Sequence, residues 1–397
     1  IDDLEKRIQQ LQGELERLKE EKNRDFQDQQ DRISRIQEKL DSGGLFSGTD
    51  IGGYMELHYN DTINGNNSGL DETLDFHRFV LFFNHELTDW IQFYSELEIE
   101  HAFVEGNGKS GEIELEQAYL DFLTGKHLNY RAGILLTPLG IINQYHEPPT
   151  FNGVERPFVD TVIIPTTWSE SGVGVFGNLS HGFSYQLNVM GGLKAEKFSA
   201  KKGIRGGRQK AFKTNVEDLA LVGRLDYKGV PGLALGASYY RGDSAQDLLI
   251  DSGVRVDILE ADFKYSIANL DLRGELAQVR IGDAARLNTV LGKTSGKDAI
   301  ASDLFGWYVE GAYHFLPLIQ VETSQDVALF LRYEDYDTQK EMPSGFTANP
   351  AYDRKAWTVG LTYRPIDNLA IKMDYQDLSN KAGTAGDLIN LGIGWQF

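Results

Sequence analysis

Across the stretch Leu388 to Phe397, Ile389, Leu391, Ile393, Trp395 and Phe397 share one parity, and Asn390, Gly392, Gly394 and Gln396 share the other. A period of two sends successive side chains to opposite faces of a β-strand, here one apolar face and one polar or small face. The pattern recurs. It predicts sixteen strands, near 50–60, 74–87, 90–104, 113–123, 129–136, 170–178, 183–191, 216–228, 232–241, 254–266, 270–281, 304–315, 325–336, 352–364, 368–378 and 386–397. Leu259, Ala261, Phe263 and Tyr265 oppose Glu260, Asp262 and Lys264, and Leu369, Ile371, Met373 and Tyr375 oppose Lys372, Asp374 and Gln376. Charge keeps to one face.

Short connections, such as 88–89, 180–182, 229–231, 268–269 and 365–367, alternate with long polar ones, 137–169, 192–215, 282–303 and 337–351. The connection at 316–324 is the exception on the short side. Long loops gathered at one end are the mark of an up-and-down transmembrane barrel, whose strands alternate a lipid face with a watery lumen. The expected fold class is therefore all-β transmembrane, a 16-stranded antiparallel up-and-down barrel. Lys or Arg on the lipid face near the midplane would cost about 2–4 kcal/mol each. Trp90, Tyr265, Tyr313, Tyr333, Tyr363 and Trp395 are placed near strand ends, where aromatic rings suit the headgroup girdle. A soluble β-protein would also oppose charge to apolar residues, but would not segregate its loops by length.

Ahead of the strands, Leu4, Ile8, Leu11, Leu15 and Leu18 alternate four and three residues apart, and Phe26, Ile33, Ile36 and Leu40 resume the seam after a four-residue stutter. Residues 1–41 are thus expected to be a self-associating coiled coil, with a mixed Leu and Ile seam compatible with three strands, and 42–49 a Gly/Ser hinge, leaving 50–397 as the barrel. A single helix on the barrel, or a disordered arm, is the alternative. An even strand count puts both barrel ends at the periplasmic rim, so the helix is expected in the periplasm.

Composition narrows the classes. The 397 residues carry a net charge of -20, contain no Cys, and include no apolar run long enough for a transmembrane helix. Nucleic acid is not an expected partner. Ile1 opens in a helical pattern without a basic and apolar leader, so a secretory signal is expected to have been removed already. The eight His are scattered, with no HExxH pair and no Gly-x-Ser-x-Gly elbow, so no enzyme is expected. No cofactor or metal motif is present either.

Three groups of residues are candidates for controlling a pore. The connection 137–168 holds five prolines and apolar residues such as Ile141, Phe151, Phe158 and Ile163, which suits folding into the lumen better than exposure. Its Tyr145, His146, Glu147, Glu155, Arg156 and Asp160 are then the expected constriction. Glu96, Glu98, Arg131, Arg224, Arg273, Glu310, Arg332, Arg364 and Lys372 have lumen parity, a mixed wall that favours a broad filter with a transverse field. The connection 192–215 carries Lys194, Lys197, Lys201, Lys202, Arg205, Arg208, Lys210 and Lys213 against a single Glu196. At a pore mouth it would attract anions. As a solvated loop it would instead contact the phosphates of lipopolysaccharide or a neighbouring protomer.

AYLDF (Ala118–Phe122), RAGILLTPLG (Arg131–Gly140), HEPPTFNGVERP and IIPTTWSESGVGVFG resemble the phosphate-selective porin O and P superfamily. With the coiled coil added, the chain is similar to the DcaP-type trimeric porins of that group. The resemblance implies a homotrimer with a pore in each protomer, passive uptake of small hydrophilic and often anionic solutes, and residence in the bacterial outer membrane. It also implies membrane lipid and lipopolysaccharide as surroundings, and Phe397 matches its aromatic end. The family's dense Arg ladder and Lys cluster find no match here. A second reading is an envelope anchor, whose helix reaches peptidoglycan or a periplasmic protein while the lumen is plugged.

Overall fold

Each period-two stretch becomes a strand, because every backbone amide in such a stretch can pair with a neighbour while one face stays apolar. The computed structural model describes residues 48–64, 72–104, 111–246, 248, 253–319 and 324–397, so the coiled coil expected at 1–41 lies outside the described residues. The strands are β1 (Thr49–Thr62), β2 (Thr73–Thr88), β3 (Ile91–Glu100), β4 (Ile113–Phe122), β5 (Asn129–Leu136), β6 (Ser169–Asn178), β7 (Phe183–Gly191) and β8 (Leu219–Val230). They continue as β9 (Leu233–Asp243), β10 (Arg255–Ile267), β11 (Leu270–Ile281), β12 (Asp303–His314), β13 (Asp326–Glu341), β14 (Asp353–Ile366), β15 (Leu369–Asn380) and β16 (Leu388–Gln396). One helix, α1 (Ala284–Val290), lies between β11 and β12.

Sequential strands pair antiparallel, and β16 pairs with β1 to close the barrel. Tyr54 faces Gln396 and Thr62 faces Leu388 across that seam, and Gly53 and Phe397 exchange backbone hydrogen bonds of 3.0 and 2.9 Å at its end. Closure leaves no unpaired sheet edge.

The faces divide as the alternation requires. Leu259, Leu276, Val309, Leu329, Leu331, Val359, Met373 and Leu391 are exposed on the outside, while Glu260, Glu310, Arg332, Glu334, Asp374 and Asn390 are buried inside. Near the short turns, Trp90 meets Phe122, Phe183 meets Tyr227, and Trp395 meets Phe397, with ring centroids 6.1, 4.7 and 5.3 Å apart. Tyr333 departs from its expected place at a strand end. β13 runs on to Glu341, so Tyr333 stands mid-strand between Trp307 and Trp357 in a second aromatic row.

The inner face is not polar throughout. Towards the long loops, the inward residues of β8–β13 are apolar: Val222, Tyr240, Val256, Ile258, Val279, Leu304, Tyr308 and Tyr336 are buried. They share one cluster with Ile141, Ile142, Phe151, Val159, Ile163, Ile164 and Trp168 of the 137–168 loop, Leu193, Phe198 and Ile204 of the 192–215 loop, and Leu287 of α1. Burying each such side chain contributes about 1.5–3 kcal/mol. The barrel therefore has a core inside its lumen, and that core seats the loops.

Candidate functional site

The 137–168 loop begins and ends at one latch. Thr137 donates its amide to the Trp168 carbonyl at 2.8 Å. Asn143, fully buried, donates to the Thr137 and Trp168 carbonyls and accepts from the Trp168 amide at 2.9 Å.

Beyond the latch, the loop is fastened to the inner wall by carboxylates that accept from its donors. Glu275 on β11 takes the Ile141 amide at 2.9 Å, Asp374 on β15 the Val154 amide at 2.6 Å, and Glu334 on β13 the Val159 amide at 3.2 Å. Glu310 on β12 takes the Asn152 side chain at 3.0 Å. A loop this irregular has few partners of its own, and inward acids satisfy its buried amides. Gly140, at φ 75°, lets the turn approach Glu275, because a Cβ there would stand 2.7 Å from Oε1. On the opposite wall a Cβ at Gly392 would stand 2.9 Å from Val154 Cγ1, and one at Gly394 would overlap Pro148.

The six expected constriction residues divide. Tyr145 is 57% exposed, with Lys264 Nζ 5.9 Å from its ring centre. Glu147 is half-buried, Glu155 accepts from Asn60 at 3.0 Å and lies 3.2 Å from His58, and Arg156 donates to the His146 carbonyl at 3.3 Å. His146 and Asp160 do not face water, contrary to expectation. His146 turns onto Glu96 and Glu116 of β3 and β4, and Asp160, a residue of the π turn Val159–Ile163, is fully buried. Burial, reinforced by Glu334, pushes Asp160 up to about 7.

The inward cations are almost all paired. Arg131 grips Asp121 with two bonds of 2.6 and 2.7 Å and stacks 4.1 Å above Tyr119. Arg224 meets Asp226, Glu260 and Asp262 at 2.9, 3.3 and 2.8 Å. Arg273 and Arg332 share Glu310 at 2.6 and 3.3 Å, and Arg332 also meets Glu334 at 2.9 Å. Arg364 meets Asp326 at 3.0 Å, and Lys372 sits 3.8 Å from the Phe151 ring centre. Glu96, Glu98, Arg273, Glu310, Arg332 and Lys372 were expected to line water; they are buried instead, with the 137–168 loop packed across the inner wall that carries them.

The cationic loop also divides. Lys197, Lys201, Lys202 and Lys213 are exposed and Lys194 is half-buried. Arg205 and Arg208 are not free to attract anions. Arg205 donates to the Thr161 and Thr166 carbonyls at 3.3 Å, and Arg208 to the Thr166 and Thr167 carbonyls at 2.6 and 2.8 Å, which ties this loop to the first. Lys210 pairs with Glu112 and Glu114 at 3.2 and 2.5 Å.

Sequence reasoning missed Arg78, Glu56, His58 and Glu116. Arg78 is buried between Glu98 at 3.5 Å and Glu56 at 3.8 Å, and its signal is a lone Arg within the apolar run FHRFVLFF. Two groups place His and carboxylate donor atoms within 4.8 Å of one another: Glu96, Glu116 and His146, all buried, and Asp75, His77 and His101, partly exposed.

An uncharacterized protein of Aquifex aeolicus (strain VF5) is 34% identical over 356 residues, covering 88% of this chain and 80% of the relative. The chain belongs to that protein's family. No family model matches the chain. Salmonella typhi OmpF in complex with daunomycin has a similar structure, with a TM-score of 0.58 at 14% identity over 88% of this chain and 97% of that one. The outer-membrane channel DcaP of Acinetobacter baumannii gives 0.53 at 12% identity over 88% and 97%. The barrel thus has the fold of bacterial outer-membrane porins.

Proposed function

We propose that this protein is a passive diffusion channel of the bacterial outer membrane for small hydrophilic solutes, and that the 137–168 loop sets its width. The observation that carries this reading is the fastening of that loop to Glu275, Glu334 and Asp374 while Tyr145, Glu147, Glu155 and Arg156 keep access to water. A preorganised ring of this kind fixes an aperture without moving parts. Anions are favoured at the mouth, where Lys194, Lys197, Lys201, Lys202 and Lys213 have no carboxylate within ion-pair distance among the described residues. Deeper in, each paired arginine offers little charge to a passing anion, which argues for a broad filter over a phosphate ladder.

In this reading the protein is a homotrimer, and residues 1–41 hold it together through Leu4, Ile8, Leu11, Leu15, Leu18, Ile33, Ile36 and Leu40. The likeness to the porin O and P superfamily and its DcaP-type members supports that assembly. The second reading, an envelope anchor, draws on the apolar cluster inside the lumen, which fills much of the long-loop end. Liposome swelling separates the two. Vesicles holding the purified protein swell in small sugars and small organic anions, at rates falling with solute size, if it is a channel. Vesicles that swell no faster than protein-free ones contradict the channel.

A further inference from the structure

Glu96, Glu116 and His146 come from β3, β4 and the 137–168 loop, and no sequence spacing connects them. The loop brings His146 Nε2 to 3.3 Å from Glu116 Oε2 and 3.5 Å from Glu96 Oε1. His146 Nδ1 lies 3.0 Å from the Asn143 carbonyl, an acceptor only, so Nδ1 carries a proton. The remaining nitrogen is then aimed at two carboxylates.

Neither oxygen of Glu116, nor Glu96 Oε1, nor His146 Nε2 makes a hydrogen bond among the described residues. All three residues are buried, Glu116 completely. Arg78 and Arg156 act on Glu116 from a distance, but among the described residues no Lys or Arg stands within ion-pair reach of either carboxylate, and two buried acids so placed favour a cation between them.

A protonated imidazole would meet that need by a charge-assisted hydrogen bond, which draws donor and acceptor to about 2.7–2.9 Å in good alignment. The observed separations are longer and unaligned. They suit a metal ion instead: donors about 2.0–2.1 Å from a tetrahedral zinc lie roughly 3.3–3.4 Å from one another.

We propose that Glu96, Glu116 and His146 form a binding site for a divalent transition-metal ion, zinc by ligand chemistry, which pins the 137–168 loop to the β3–β4 wall. The Asn143 carbonyl orients the imidazole from behind, as a carbonyl or carboxylate usually does for a metal-bound His. Gln117 donates to the other oxygen of Glu96 at 2.6 Å and turns Oε1 towards the site. Two carboxylates and one neutral imidazole balance the double charge of the ion. The site stands independently of whether the barrel conducts.

The test uses the full chain, folded in detergent, stripped with chelator and titrated with zinc. Asp75, His77 and His101 form a second, more open group, so titrations are run on both wild type and a His77→Asn/His101→Asn variant. The expected result is one zinc per protomer in both, with affinity reduced at least about 10-fold by Glu116→Gln or His146→Gln. Heat-modifiable mobility on gels confirms that each variant keeps its barrel. X-ray absorption at the zinc edge of the His77→Asn/His101→Asn protein needs no change at the site and should find one imidazole with oxygen ligands. Failure of that protein to take up zinc, uptake indifferent to both site substitutions, or a ligand sphere without imidazole would each overturn the proposal.

Discussion

Pro148 lies so close to Gly394 that any side chain at 394 would overlap it. The inner surface of β16 is thus a seat for the 137–168 loop, and Val154 occupies the corresponding space at Gly392.

Filling that seat should unseat the loop. Gly394→Val is expected to cost about 1–3 kcal/mol, the usual range for overpacking. The barrel should still form, with a lower melting temperature and a larger size limit in liposome swelling. An unaltered melting temperature and size limit would show that the seat is not held.

Asp160 carries a pH signature. Its carboxyl sits at about 7 in the fold against about 3.9 in the unfolded chain, so the native state binds this proton more tightly. Its contribution is complete below about pH 4 and is lost as pH rises through 7. Asp160→Asn should therefore become more stable than wild type at pH 8, by on the order of 1 kcal/mol or more, relative to their difference at pH 4. Urea unfolding at the two pH values checks this, and parallel behaviour of the two proteins would contradict it.

The two kinds of cation in the 192–215 loop should behave differently. Arg205→Ala with Arg208→Ala removes bonds to three carbonyls of the neighbouring loop and should lower stability by roughly 1–3 kcal/mol. Lys201→Glu with Lys202→Glu, both exposed, should leave the melting temperature alone and reduce anion preference. Thermal unfolding beside ion-selectivity measurements separates the two roles.

Removal of residues 1–41 is expected to weaken the proposed trimer while the barrel remains folded. Semi-native electrophoresis across a temperature series reads both. A trimer of unchanged heat resistance would take the helix out of assembly.

The strands were legible because lipid and lumen impose opposite requirements on alternate residues, and all sixteen stretches became strands. The 137–168 loop was legible as a buried segment from its prolines beside Ile141, Phe151 and Ile163. Its partners were not. Gly392 and Gly394 read only as a small face, since nothing in a strand's own pattern says what stands opposite. The apolar core within the lumen had a weak signal, the run LALV at Leu219–Val222, apolar on both parities where a lumen strand should alternate. The side-chain aims that buried His146 and Asp160, and that turned Arg205 and Arg208 onto carbonyls, depend on loop packing across the barrel and leave no spacing to read.

The most direct test of the central claim, a water path past the 137–168 loop, is single-channel recording in a planar bilayer under a salt gradient. The account predicts stepwise conductance with a reversal potential leaning towards anions, shifted towards cations when the exposed lysines of the 192–215 loop are reversed to glutamate. Protein that inserts into the bilayer yet gives no steps would contradict it and leave the barrel as an anchor.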